Sequence, residues 1–284
     1  MDTTKPLFIL GPGRSGTASF GRMLNQYENI ESHHEFCNDA IQHTALMWSM
    51  NRMPRSEMKD RLNTVYGAAL EYSDGELFVD ASHKLSWLVE PLHTLFPDAK
   101  FLHINRDGRV VSSEFFNKFH DDDENTIYED RPVEKMQSWL NWKQVLPPPP
   151  DKRHMWKVPR PGKPFYDEFP TWDRFQRCTY HWQESNRAAF DGFMNIPAAS
   201  YRSVHLEDII KDEALLEEIL TWAGAKYEHS MFEYLKVPRH VVEPVNYGLT
   251  EEQQVQFDEI AGSMMVMCGY TDAEPFLVEY LGKG

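Results

Sequence analysis

A glycine-rich segment near the start of the chain has the composition of an anion-binding loop. It reads Gly11-Pro12-Gly13-Arg14-Ser15-Gly16-Thr17-Ala18-Ser19. Glycines let the backbone curl with its amides pointing inward, and a helix that begins directly after such a loop adds partial positive charge. The apolar run 7–10 before the loop predicts a buried strand, and the spacing of Phe20, Met23 and Leu24 predicts one face of a helix. The segment therefore predicts a strand–loop–helix unit that binds a phosphate or a related anion.

The loop differs from the nucleotide P-loop, GxxxxGK[ST], at the positions that a kinase needs. Gly11 and Gly16 match the two glycines of that pattern. Thr17, however, replaces the lysine that reaches the β- and γ-phosphates, and Ala18 replaces the hydroxyl that binds Mg²⁺. The cation of this loop is instead Arg14. A P-loop-type small-molecule kinase is therefore one alternative interpretation, and a non-catalytic nucleotide-binding protein is another.

A second segment places an arginine where a strand is predicted to end and a helix to begin. Arg106 follows the predicted strand 100–105, and the helix predicted over 109–118 carries Ser112 and Ser113. Ligands of open parallel α/β sheets bind at the carboxyl ends of the strands. An arginine at such an end and a serine one to two turns into the helix can hold a phosphate from two directions.

The other predicted elements alternate between strands and helices, which favours a parallel sheet with helices on both faces. Helices are expected over residues 36–72, 85–96, 171–193, 212–223 and 250–267, and strands over 77–79 and 199–205. The expected fold class is therefore α/β: a three-layer fold whose central parallel sheet is flanked by helices, with the phosphate-binding loop after the first strand. Residues 1–284 are interpreted as a single domain. A proline-rich, irregular insertion over about 119–170 predicts an inserted lid, with a surface excursion as the alternative.

The composition excludes several classes of partner. The 284 residues include 44 acidic and 29 basic ones, which gives a net charge of −15. This surplus of acid argues against nucleic acid as a partner, because phosphate contacts need lysine and arginine, and it disfavours an anionic membrane surface. No apolar run reaches the about 18–20 residues of a membrane span. The three cysteines are far apart in sequence, which argues against a disulfide framework and favours a reducing compartment. We therefore expect a soluble, cytoplasmic protein.

The two phosphate segments together resemble those of the sulfotransferases that use 3′-phosphoadenylyl sulfate (PAPS). The first contains Arg14-Ser15-Gly16-Thr17 and resembles the 5′-phosphosulfate loop of that family, [KR]-S-G-T. The second, residues 101–113, resembles the 3′-phosphate motif, an arginine at a strand end followed by a helical serine. Residues 201–210 resemble the family's strand followed by a Glu-Asp pair, and residues 249–270 resemble the C-terminal helix of many bacterial members. The resemblance covers both ends of the chain and fails over about 119–170.

The resemblance implies PAPS as the sulfonate donor, PAP as the product, and no metal. It implies that the following loop residues hold the 5′-phosphosulfate: Gly13, Arg14, Ser15, Gly16, Thr17, Ala18 and Ser19. Arg14 would in addition act in catalysis, by stabilising the leaving phosphate. Arg106 would hold the 3′-phosphate together with Ser113 or Ser112. Both serines are candidates, because the spacing in the family is one residue longer than the spacing from Arg106 to Ser113.

Transfer to a hydroxyl or amine requires a general base, and two residues are candidates. Glu35 lies where many family members place a catalytic glutamate, often as His-Glu-Pro, although Phe36 replaces the proline here. His83 follows the strand predicted at 77–79, close to where small-molecule members place a catalytic histidine. Both should lie at the carboxyl edge of the sheet, with Glu35 preferred and His83 as the alternative. The implied reaction is in-line sulfonate transfer from PAPS to a small-molecule acceptor.

The acceptor is not identified by the sequence. Residues 120–125, HDDDEN, are typical of a solvated acidic loop. A sharper hypothesis is that these carboxylates attract a cationic acceptor to the site. Neither the choice between a hydroxyl and an amine nor the oligomeric state follows from the residue pattern.

Overall fold

The structure is a computed structural model that describes residues 4–118, 159–239 and 248–270. The chain divides into two compact units, Met1–Arg106 with Ser185–His240, and Asp107–Glu184 with Val241–Gly284. The lid expected over about 119–170 lies mostly outside the described residues. Its described end contains a short 3₁₀ turn at Phe169–Thr171.

A parallel sheet forms the centre of the first unit. Its strands are β1 (Lys5–Leu10), β2 (Ile30–His34), β3 (Leu77–Ala81), β4 (Lys100–Asn105) and β5 (Tyr201–His205). They lie in the order β2-β3-β1-β4-β5, and every neighbouring pair is parallel. Parallel neighbours require crossover connections, so the chain places helices between the strands.

The helices of the described chain are α1 (Thr17–Leu24), α2 (Asn38–Ser49), α3 (Arg55–Leu62), α4 (Ala68–Tyr72), α5 (Val89–Leu95), α6 (Gly108–Lys118), α7 (Arg174–Phe193), α8 (Leu206–Ile209), α9 (Glu213–Ala223), α10 (His229–Lys236) and α11 (Glu251–Met267). A π-turn at Asn63–Gly67 joins α3 to α4, and a 3₁₀ turn at His83–Trp87 precedes α5. None of these helices is long and apolar enough to cross a lipid bilayer.

The two faces of the sheet carry separate apolar cores. Leu7 and Ile9 of β1 belong to a buried cluster that includes side chains of α1, α9 and α10. Phe8 and Leu10 point to the opposite face, into a cluster with side chains of α2, α3, α5 and the end of α7. This alternation follows from the period of two along a strand. The expected three-layer α/β fold is confirmed.

The strand β2 was not predicted, whereas the strands expected at 7–10, 77–79, 100–105 and 199–205 are present as β1, β3, β4 and β5. Its sequence, IESHH, is polar, because it lies at the edge of the sheet with only β3 beside it. An edge strand buries few side chains, and here Ile30 and Ser32 are the buried ones. Its sequence therefore lacks the apolar run by which β1, β3 and β4 were predicted.

Prolines explain where the expected helices are divided. The helix expected over 36–72 is interrupted before Pro54, which caps α3, because proline disfavours helical backbone at the preceding residue. The helix expected over 85–96 begins instead at Val89, so that Pro91 falls in the first turn of α5. Proline is tolerated there, since the amides of the first turn have no partner within the helix.

The second unit is helical in its described part. It contains α6, the first part of α7, and α11. The helix expected over 250–267 is present as α11, and Thr250 is its N-cap. The Thr250 hydroxyl accepts from the amide of Gln253 at 3.1 Å, and the Gln253 side chain accepts from the amide of Thr250 at 3.0 Å. Apolar packing in this unit includes Trp182 beside Phe257, with a ring separation of 6.1 Å.

Candidate active site

The phosphate loop curls at the carboxyl end of β1, and α1 begins directly after it. Gly13, Arg14 and Gly16 all have left-handed backbone, with φ of 78°, 52° and 88°. This conformation turns the chain back over the end of its own strand. Gly16 is the N-cap of α1, so the loop residues lie at the positive end of that helix.

Close backbone packing explains two of the glycines. A Cβ atom on Gly11 would lie 2.2 Å from the carbonyl oxygen of Ile104, in β4. A Cβ atom on Gly16 would lie 2.7 Å from Cδ1 of Leu206, at the start of α8. The loop therefore lies against the carboxyl ends of β4 and β5, where ligands of open α/β sheets bind.

The side chains of the loop include a buried hydroxyl. Ser15 is fully buried, and within the described chain its Oγ has no hydrogen-bond partner. Thr17 is also buried, whereas Ala18 and Ser19 are half-buried. A buried hydroxyl without a partner is unfavourable, so such groups in native proteins usually have a function or a ligand.

Arg106 joins the second motif to the first. Its guanidinium donates from Nη1 to the carbonyl oxygen of Arg14, at 2.9 Å. Its own amide donates to Oδ1 of Asn105 at 2.9 Å, and the side chain is buried. The structure thus brings together Arg14 and Arg106, which are far apart in sequence, at one edge of the sheet.

The two serine candidates of α6, in the second unit, differ in their contacts. Ser112 is fully buried, and its Oγ has no partner among the described residues. Ser113 lies beside Asn117, whose amide donates to the Ser113 carbonyl oxygen at 2.8 Å and contacts its Oγ at 3.4 Å. Of the two hydroxyls, that of Ser112 is therefore the one without a hydrogen-bond partner in the part of the chain that the structure describes.

The two candidate bases, Glu35 and His83, contact each other. Oε1 of Glu35 lies 3.2 Å from Nδ1 of His83 and 2.9 Å from Nζ of Lys84. Lys84 also donates to the side chain of Asn38. All three side chains of this cluster are at least half-buried, Lys84 the most, with 8% of its side chain exposed. We call Glu35, His83 and Lys84 the carboxylate–histidine cluster.

The sheet register explains why these residues meet. Strands β2 and β3 are parallel, and His34 lies opposite Ala81. Glu35 and the residues after Ala81 therefore leave the sheet side by side. The amide of Glu35 donates to the carbonyl oxygen of Ala81 at 3.1 Å, which extends the pairing by one residue. Both candidates lie at the carboxyl edge of the sheet.

The charge of Glu35 is strongly stabilised. Burial would raise the pKa of its carboxyl group, but the hydrogen bond from His83 and the charges of His83 and Lys84 outweigh this effect. The pKa of Glu35 is consequently held well below its usual range. A carboxylate that is so reluctant to accept a proton suits the role of orienting a histidine better than that of a base.

Two further residues contribute to this region. The sequence suggests Lys84 as a helper near the donor, with a position on a helix surface as the alternative, whereas sequence reasoning missed Asp80. Lys84 is a buried lysine, a rare environment unless an acid is close by. Asp80 interrupts the otherwise apolar strand LFVDA and is fully buried. Within the described ranges, no group of three histidine, cysteine or acidic side chains is arranged to hold a metal ion.

Comparisons with known proteins identify the family of the chain and support its fold. The model of the sulfotransferase family matches residues 6–148, which is half of the chain and includes both phosphate motifs, Glu35 and His83. The sulfotransferase STF9 from Mycobacterium avium is similar in structure at a TM-score of 0.53 and 12% identity, over 96% of this chain and 78% of that one. The sulfotransferase domain of the Synechococcus PCC 7002 olefin synthase is similar at a TM-score of 0.50 and 14% identity, over 96% and 97% of the two chains.

At sequence identities of 12% and 14%, the similarity to these two solved structures supports the fold alone. No curated protein matches the chain. The family assignment therefore rests on the match of the family model to the sequence. The parallel sheet, with the glycine-rich loop at its carboxyl edge, is consistent with that assignment. The chain belongs to the sulfotransferase family, whose members are transferases of sulfonyl groups.

Proposed function

We propose that the protein transfers a sulfonate group from PAPS to a hydroxyl or amine of a small molecule, with PAP as the second product. The observation that supports this most directly is the contact of Arg106 with the backbone of Arg14. It places the guanidinium of Arg106 against the backbone of the amide-rich loop that carries Arg14, at one sheet edge. A donor that carries phosphates at both ends of a nucleoside needs such a set of cations and amides.

The residues of the loop fit the 5′-phosphosulfate of the donor. Left-handed backbone at Gly13, Arg14 and Gly16 turns the loop, and Ser15 offers a buried hydroxyl that no described residue binds. Thr17 and Ser19, in the first turn of α1, add hydroxyls at the positive end of a helix. Arg14 is the cation that would stabilise charge on the leaving phosphate.

The carboxylate–histidine cluster fits proton removal from the acceptor. We assign the proton acceptor to Nε2 of His83, while Glu35 accepts the hydrogen bond of Nδ1–H and fixes the orientation of the ring. Lys84 neutralises Glu35 and keeps it ionised. In the in-line displacement, the sulfur of the sulfonate lies between the leaving phosphate oxygen of PAP and the attacking oxygen or nitrogen of the acceptor. As the new bond to sulfur forms and the bond to the phosphate oxygen breaks, His83 takes the proton of the acceptor.

Ser112 is our candidate for the 3′-phosphate, with Ser113 as the alternative. The Ser112→Ala variant is expected to bind PAP about 10–150-fold more weakly, since one hydrogen bond of about 1.5–3 kcal/mol to a charged group is lost. Ser113→Ala, its matched control, should bind PAP within about twofold of the unchanged protein. Calorimetric titration with PAP and with AMP, which lacks the 3′-phosphate, checks the assignment. A loss that is equally large for AMP would contradict a role at the 3′-phosphate.

The proposal is tested by label transfer from ³⁵S-PAPS to a panel of hydroxyl- and amine-bearing small molecules. We expect a labelled acceptor, and a rise in the unfolding temperature with PAP rather than with ATP–Mg²⁺. Stabilisation by ATP–Mg²⁺ alone would instead favour the kinase alternative. Binding of PAP without transfer to any acceptor would favour a non-catalytic nucleotide-binding protein.

The acidic run at 120–125 lies outside the described residues, so attraction of a cationic acceptor stays a prediction.

A further inference from the structure

A buried carboxylate lies directly beneath the segment that carries Glu35. Asp80, in β3, is fully buried. Its Oδ1 accepts from the backbone amide of Phe36 at 3.0 Å, and its Oδ2 accepts from the phenol of Tyr66 at 2.6 Å. Each carboxylate oxygen thus has one donor, and one of these donors belongs to the residue next to Glu35.

The segment held by Asp80 has an unusual backbone. Glu35 and Cys37 are both in the left-handed region, with φ of 59° and 43°. Residues with a Cβ atom rarely adopt this conformation, and they keep it only where the surroundings determine it. The constraints here are two amides on β3: Glu35 N–H on the Ala81 carbonyl oxygen, and Phe36 N–H on Asp80.

The other donor to Asp80 comes from an irregular helix. Tyr66 lies in the π-turn Asn63–Gly67, and such turns are rare and often found at functional sites. Its ring is fully buried and packs edge-on to Phe8 at 5.1 Å, with Phe36 at 6.2 Å. This packing orients the phenol of Tyr66 toward Asp80. The same ring also contacts Phe36, the residue after Glu35.

Residue 36 can donate a hydrogen bond to Asp80 only because it is not a proline. The amide of Phe36 is a donor that the His-Glu-Pro pattern lacks, and Asp80 is its acceptor. We propose that Asp80 and Tyr66 form a positioning pair, which holds Glu35 in the conformation where its carboxylate meets His83 and Lys84. This inference rests on the proposed function, because it assigns a role in that reaction to two residues that contact neither donor nor acceptor.

The ionisation of Asp80 makes the pair sensitive to pH. Burial raises the pKa of Asp80 to about 6, although the hydrogen bonds from Tyr66 and Phe36 act to lower it. The other titratable groups whose charges influence Asp80 are His33, Glu35 and Cys37. Protonation of Asp80 weakens it as an acceptor, so kcat should fall as the pH drops through about 6. The free energy of unfolding depends on pH in the opposite direction to kcat. Because folding raises the pKa of Asp80, this group stabilises the protein below the pKa that it has in the unfolded chain, and that contribution is lost as the pH rises through its pKa in the folded protein.

The test compares Tyr66→Phe, which removes one hydroxyl, with the control Tyr27→Phe. Tyr27, in the segment after α1, shares a 2.7 Å hydrogen bond with Ser230 of α10. For Tyr66→Phe we expect kcat to fall about tenfold while KM for PAPS stays within about twofold, because misplaced catalytic groups reduce the rate more than binding. Its acid limb in kcat should move to higher pH, since a hydrogen bond that lowers the pKa of Asp80 is lost. In Asp80→Asn kcat should be reduced, and the acid limb that remains should be the one that comes from protonation of the base His83.

A second readout needs no acceptor. The ¹⁵N shifts of the His83 imidazole report how much of the ring carries its proton on Nδ1. We expect this fraction to fall in Tyr66→Phe and in Asp80→Asn, and not in Tyr27→Phe. The proposed positioning role of Asp80 and Tyr66 would be contradicted by a folded Tyr66→Phe variant that is unchanged in three respects. These are kcat, the pH of the acid limb in kcat, and the fraction of His83 with its proton on Nδ1. If the unchanged protein transfers no label from PAPS, the proposed function fails instead, and the ¹⁵N readout still decides whether the pair positions the cluster.

Discussion

Replacing His83 with alanine is expected to lower kcat by about 10²–10⁴-fold, because a general base supplies a factor of that size. PAP affinity should stay near that of the unchanged protein, since no phosphate contact is removed. Glu35→Gln should lower kcat as well, because an amide in place of the carboxylate no longer selects the Nδ1–H form of the ring that it contacts at 3.2 Å. Steady-state kinetics with a labelled acceptor measures both effects.

The double variant tests whether the two residues act together. If Glu35 works through His83, then Glu35→Gln should add little to His83→Ala, since groups that act as one unit are not additive. Effects that multiply would instead mean independent roles. An inactive Glu35→Gln beside a nearly normal His83→Ala would contradict our assignment and make Glu35 the base. His229→Ala is the control: this histidine also pairs with a carboxylate, Glu213 at 2.6 Å, but lies on the exposed surface of α10.

Replacing Arg106 with alanine is expected to weaken PAP binding by about 30–150-fold, the equivalent of losing one charge-assisted hydrogen bond of about 2–3 kcal/mol. Arg14→Ala should have a similar effect on donor binding and a further effect on kcat, because this guanidinium would stabilise the leaving phosphate. Arg106→Ala also removes the donor to the Arg14 carbonyl oxygen, so the loop itself becomes less constrained.

Calorimetric titration with PAP at two salt concentrations measures these losses. Arg202→Ala is the matched control, since Arg202 is an exposed arginine of the same sheet that lies over the ring of Trp222. It should bind PAP normally, which excludes a mere effect of net charge. Near-normal affinity in both Arg14→Ala and Arg106→Ala would remove the donor site from this edge of the sheet.

Much of the fold was predictable because its signals are local. The apolar run before the glycine loop and the run 100–105 identify β1 and β4, since buried parallel strands are nearly all apolar. The threonine at 250 and the glutamates at 251 and 252 are typical of a helix N-terminus and identify the start of α11. The edge strand β2 lacked such a signal, because pairing with a single neighbour leaves its sequence polar.

The sequence by itself determined which residues could hold phosphate and that they follow strands. It identified Arg14, Arg106 and His83 as candidates beside predicted strand ends, and the family resemblance added Glu35, for which no strand was predicted. It left Glu35 and His83 as competitors. Only the tertiary structure decided that they share a hydrogen bond, since this depends on β2 pairing with β3 in one particular register.

The same reason explains the other long-range contacts. Arg106 reaches the backbone of Arg14 because β1 and β4 are neighbours in the order β2-β3-β1-β4-β5, which no local pattern encodes. Asp80 meets Phe36 and Tyr66 for a similar reason, across the paired strands and a π-turn. Residue types and short spacings specify the chemistry available to each segment, whereas strand order and register determine which of these segments act on one another.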